Sequence, residues 1–95
     1  MSIAEIREKI TPILRLHDIK KASIFGSFAR GDETSTSDVD LLVQLGKPMG
    51  MIAYVRFIQE MEDVLNRSVD VITDKSLNNN IKSYVERDLH TIYES

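Results

Sequence analysis

Ile3, Ile6, Ile10, Ile13 and Leu14 recur at spacings of three and four, so they share one face of a helix. Ser2 followed by Glu5 has the spacing of a capping box, and the helix is expected over residues 3–17. Pro12 removes a backbone donor inside it and predicts a kink or a tightened turn near Ile10 and Thr11. KKASIFG, residues 20–26, reads as a strand that glycine closes in a tight turn. The next stretch, SFARGDETSTS, is small and polar beyond a single helical turn, and DVDLLVQL, residues 38–45, is a second strand ending at Gly46, Lys47 and Pro48.

From residue 51 to 65 a helical stripe of Met51, Tyr54, Val55, Ile58 and Leu65 is widened by Phe57, Met61 and Val64. That is more apolar surface than one sheet face needs, so Tyr54, Phe57 and Met61 are candidates for contact with a partner chain as well as for the core. SVDVIT, residues 68–73, is a third strand, and the helix before it favours a parallel crossover from the second. Asn78, Asn79 and Asn80 suit a turn and helix start. Leu77, Ile81, Val85 and Leu89 predict a last helix before a short tail, HTIYES. The pattern is that of an α/β (α+β) fold in one small domain, residues 1–95.

Composition narrows the function. With 42% hydrophobic and 28% charged residues the chain is an ordinary globular one. A formal charge of −3 gives no general attraction for a nucleic-acid backbone, so strong nucleic-acid binding is not expected. The absence of cysteine excludes disulfides, thiolate metal sites and cysteine nucleophiles. No stretch has the length of a membrane span or the apolar centre of a secretory signal, so a complete, cytoplasmic chain is expected.

The chemistry concentrates in residues 26–43, GSFARGDETSTSDVDLLV. Asp38 and Asp40 lie two apart on a predicted strand, and the period of two places both carboxylates on one face. Two close like charges call for a cation, and a hard divalent ion such as Mg²⁺ prefers oxygen ligands. Val39, Leu41 and Val43 point the other way and can be core. Asp70, between Val69 and Val71, falls beside them if the second and third strands are neighbours. Three carboxylates could then hold two metal ions. Gly26 permits close backbone approach, and Ser27 offers a hydroxyl and an amide at the start of a helical turn, where an anion such as a triphosphate is favoured. Arg30 is near enough in sequence to help neutralise it, or to pair with Asp32 or Glu33 on the surface. His17 and His90 lack ligand partners at useful spacing and read as structural or exposed. Tyr84 and Tyr93 read as packing residues before nucleotide acceptors.

A Gly-Ser pair, ten residues and then Asp-x-Asp would arise by chance in this length roughly once in a thousand. The string GSFARG, then SDVDLLV, then VDVIT resembles the nucleotidyltransferase superfamily of DNA polymerase beta, and within it the minimal nucleotidyltransferase branch, the antitoxin partners of HEPN toxins. The resemblance implies a mixed sheet with core strand order 1-2-3 and helices mainly on one face. It further implies Mg²⁺-dependent transfer of AMP from ATP to a tyrosine of the partner toxin, with release of pyrophosphate. Catalysis and metal binding would fall to Asp38, Asp40 and Asp70, and nucleotide binding to Gly26, Ser27 and Arg30. A non-catalytic antitoxin that works by contact, and an enzyme acting on a small-molecule hydroxyl, are the alternatives. Whether the chain forms a homo-oligomer is left open by the sequence.

Overall fold

The computed structural model describes residues 1–95, apart from the side chains of Ile81 and Tyr84. The element order is α1 (Ile3–Leu16), β1 (Ile19–Phe25), α2 (Ser27–Arg30), β2 (Val39–Leu45), α3 (Met51–Leu65), β3 (Val69–Thr73), α4 (Asn79–Arg87) and β4 (His90–Glu94), with a 3-10 turn over Asp74–Ser76. Ser2 caps α1 as its spacing predicts, its hydroxyl accepting from the Glu5 amide at 3.1 Å. The expected kink at Pro12 does not break the helix. Pro12 and Glu8, whose carbonyl loses its donor, are both exposed, and water can meet the orphaned oxygen.

The four strands form one sheet in the order β3-β2-β1-β4. β2 and β3 are parallel, joined by α3, while β1 is antiparallel to both β2 and β4. The expected order of the first three strands therefore holds. The tail does not: HTIYES is largely a fourth strand, with Ala22 opposite Tyr93 and Ile24 opposite His90. An unpaired β1 edge would leave its amides and carbonyls without partners, and Thr91, Ile92 and Tyr93 are good strand formers. The last helix accordingly ends at Arg87, short of Leu89. Of the residues that predict it, Val85 is buried, and the side chain of Ile81 lies outside the described residues.

The core lies on one side of the sheet. Ala22, Ile24, Val39, Leu41 and Val43 meet Ile6, Ile10 and Leu14 of α1 and Phe57, Met61 and Leu65 of α3. His17, at the end of α1, bonds Glu60 at 3.1 Å and tilts against the Phe57 ring, which ties the two helices together. Its role is structural. The Tyr54 hydroxyl donates to the Val71 carbonyl at 3.1 Å, and burial raises its pKa.

The face of α3 needs correction. Phe57 and Met61 are 0% exposed and belong to the core, so they offer nothing to a partner. Met51, Ile52 and Val55 stand 78%, 77% and 58% exposed instead. The apolar residues cover too much of the helix for periodicity to say which arc faces inward. Phe57→Ala should therefore cost about 3–5 kcal/mol in denaturant unfolding, through lost burial and the cavity left behind. Ile52→Ala should stay within about 0.5 kcal/mol.

Candidate active site

Alternation along β2 buries Val39, Leu41 and Val43 and turns Asp40 and Leu42 to the opposite, open face of the sheet. The parallel register sets Asp40 directly opposite Asp70. Neighbouring strands are about 4.8 Å apart, so the two carboxylates are adjacent. The main-chain bond from the Val39 amide to the Ser68 carbonyl, 3.0 Å long, locks that register one residue upstream. Asp38 does not lie on the strand itself. It is the exposed residue immediately before β2, and its charge is felt at Asp40.

β1 delivers the other half of the site. Phe25 pairs with Asp40, and the chain then turns at Gly26 with φ +77°. A β-carbon at Gly26 would collide with the Asp40 carboxylate, so glycine is required both for the turn and for the space. Ser27 opens α2, whose short turn is closed by Arg30 N–H donating to the Gly26 carbonyl at 3.1 Å. The Ser27 carbonyl accepts from the amides of Gly31 at 3.0 Å and Asp32 at 3.1 Å. First-turn amides of a helix have no partner within it, so those of α2 are oriented for an anion.

Arg30 makes the surface ion pair with Asp32 that its position allows, and a second one across the fold. Its Nε pairs with Asp32 at 3.1 Å and its Nη1 reaches Asp88, after α4, at 3.4 Å. It also lies close enough to Asp40 to favour its ionised form. Asp88 and Arg67 are neighbours of the site that no sequence motif announces. Arg67 spans from the Thr34–Ser37 turn to Phe28, and both residues come from elements distant in sequence.

Asp40 carries the electrostatic consequence. Partial burial, then the like charges of Asp70 and Asp38 and a hydrogen bond shared with Asp70, raise its pKa from the usual 3.8 to about 6 against the opposing pull of Arg30. Acidic charge at the site thus outweighs the one cation that acts on Asp40. Among the described residues no three acidic or histidine side chains are gathered as a metal centre, and Asp40 and Asp70 stand opposite each other as a pair. His17 is engaged with Glu60, and His90 is exposed at the start of β4. Tyr93 packs against the core, and the side chain of Tyr84 lies outside the described residues.

A carboxyl with a higher pKa folded than unfolded holds its proton more tightly in the native state, so its ionisation destabilises the fold as pH rises from about 4 to about 6. Asp40→Asn should consequently raise the Tm near neutral pH in chelator, and this advantage should shrink towards about pH 4, where both forms are uncharged. Thermal unfolding of the two chains across this range checks it. An equal difference at both ends would contradict the electrostatic account.

Among the described residues no helix is long and apolar enough to cross a membrane. The family described as Polymerase beta, Nucleotidyltransferase matches residues 8–95. A protein of Methanocaldococcus jannaschii, provisionally named a protein adenylyltransferase, is 45% identical over 90% of this chain and 91% of its own length. A solved toxin-antitoxin structure with AMP-PNP superposes with a TM-score of 0.80 at 22% identity, covering 94% of this chain and 73% of that one. A tri-AMPylated Shewanella oneidensis HEPN toxin in complex with its MNT antitoxin matches with a TM-score of 0.74 at 19% identity, over 97% and 72% of the two chains. These two likenesses concern the fold. With a family match over nearly its whole length and a relative at 45% identity, the chain belongs to the Polymerase beta nucleotidyltransferase family.

Proposed function

We propose that this chain is the antitoxin half of a toxin–antitoxin pair, a cytoplasmic, Mg²⁺-dependent nucleotidyltransferase that moves AMP from ATP to a tyrosine of a HEPN-type partner. The observation that carries the reading is the pairing of Asp40 with Asp70, with Gly26 flush against Asp40, in a member of this family. The named relative, the neighbour with an ATP analogue and the neighbour with an AMPylated toxin supply its substrate and acceptor. Residues 1–95 act as one minimal nucleotidyltransferase domain.

A hard divalent cation fits the donors present. They are oxygens only, their charges are alike, and partial burial together with the like charges of Asp70 and Asp38 holds the Asp40 carboxyl above its ordinary range. Asp38 and Asp40 would hold one ion, and Asp38, Asp40 and Asp70 a second. Once bound, such ions neutralise phosphate charge and lower the pKa of an attacking hydroxyl. Gly26 leaves the space in which a triphosphate can approach Asp40. Ser27 holds phosphate oxygens through its hydroxyl and the α2 amides, and Arg30 adds charge beside them. Asp70 accepts the acceptor proton as the tyrosine oxygen bonds to the α-phosphorus and the bond to pyrophosphate breaks. Positioning and charge neutralisation carry the rate.

The exposed arc of Met51, Ile52 and Val55 favours a second reading, an antitoxin that neutralises its partner by contact alone. Incubation with a HEPN partner, Mg²⁺ and ATP labelled on the α-phosphate separates the two. Label should enter the partner, and Asp38→Asn or Asp40→Asn should each reduce it at least about a hundredfold, the equivalent of a few kcal/mol of transition-state stabilisation. Neutralisation that both variants retain in full would sink the enzymatic reading, and label on a small-molecule hydroxyl alone would replace the acceptor.

A further inference from the structure

We infer that Arg67 is a positioning residue for Asp38, holding the polar turn before it in place and joining that turn to the Ser27 and Asp70 segments. The inference rests on the nucleotidyltransferase reading of the site. One guanidinium nitrogen, Nη1, lies 3.4 Å from the Thr34 carbonyl, 3.2 Å from that of Ser35 and 3.1 Å from that of Ser37. Among the described residues the turn's other hydrogen bonds lie within it, Thr34 N–H donating to the Ser37 hydroxyl at 2.8 Å and Ser37 N–H to the Thr34 carbonyl at 3.2 Å. Such a stretch, exposed and without buried apolar side chains, has little to hold it. Asp38 follows directly. Its backbone is fixed on the strand side by the Val39 to Ser68 bond, so the turn is its other support.

Arg67 is itself well placed to provide that support. Asn66, in the left-handed region at φ 54°, stops α3 immediately before it. Two residues after it, the Val69 amide donates to the Glu62 carboxylate at 2.9 Å and fixes the start of the strand that carries Asp70. Its guanidinium lies 5.2 Å from the centroid of the Phe28 ring, and Phe28 is the buried residue next to Ser27. A single cation thereby touches the turn before Asp38 and the helix that begins at Ser27, from a backbone three residues before Asp70. Lysine could supply the charge. It lacks the planar group that stacks on an aromatic face while donating to several carbonyls.

The alternative is a surface clamp that stabilises the chain and does nothing for the site. Arg67→Ala and Arg67→Lys, beside His17→Gln as a variant that breaks a contact remote from the site, distinguish the two. Three quantities are read: binding of Mn²⁺ by paramagnetic resonance in the presence of AMP-PNP, the Mg²⁺ concentration that half-saturates label transfer, and hydrogen exchange at the Thr34–Val39 amides. Supporting groups behind metal ligands are typically worth about tenfold or more in metal affinity. Arg67→Ala should therefore weaken Mn²⁺ binding and raise half-saturating Mg²⁺ by about tenfold, with faster exchange in the turn. Arg67→Lys should fall nearer to alanine than to arginine, and it keeps the test readable should the alanine variant not fold. His17→Gln should lower Tm and leave the Mg²⁺ dependence unchanged. Metal affinity in both Arg67 variants within about twofold of the unaltered chain would overturn the inference. Failure of the unaltered chain to label any partner would instead count against the enzymatic reading, while Mn²⁺ binding and exchange still decide the role of Arg67.

Discussion

The register of β2 against β3 is the constraint on which the rest depends. A parallel pair reads one residue against one, and here it places Asp40 against Asp70 on the open face and Leu41 against Val71 on the other. The first pairing is unfavourable by itself, because two carboxylates at strand spacing repel. The second, with Val39 against Val69, is favourable through burial. Core packing on α1 and α3 thus holds together a charge arrangement that the site alone would drive apart. The pKa of Asp40 is raised by partial burial first and by that imposed proximity second.

Much of this was legible in the residues. Helix α3 runs from Met51 to Leu65 as its pattern predicts, and β2 differs only in beginning at Val39 rather than at Asp38. Gly26 and Ser27 follow the first strand where the motif spacing puts them, and Gly26 closes on Asp40. Asp70 was the conditional member, since only a neighbouring third strand brings it to the second. The α3 crossover supplies that neighbour.

What stayed hidden has physical causes. The inward arc of α3 could not be read because Met51, Ile52 and Val55 are as apolar as the residues that bury, and only the sheet decides between them. β4 is five residues long and gains its strand character from the free edge of β1, a partner about seventy positions earlier. Arg67 and Asp88 belong to no local pattern. A cation that reaches three carbonyls thirty or more positions upstream, or a carboxylate that meets Arg30 across the fold, is a tertiary event.

The alternation of β2 has one more consequence. Because Asp40 and Leu41 are adjacent, sliding β2 by a single residue would turn Asp40 towards the helices and Val39, Leu41 and Val43 towards water. Such a chain would lose its paired carboxylates and its hydrophobic interior in the same event. Misassembled molecules should therefore be silent rather than indiscriminately active, and the activity of a preparation becomes a direct count of correctly registered sheets.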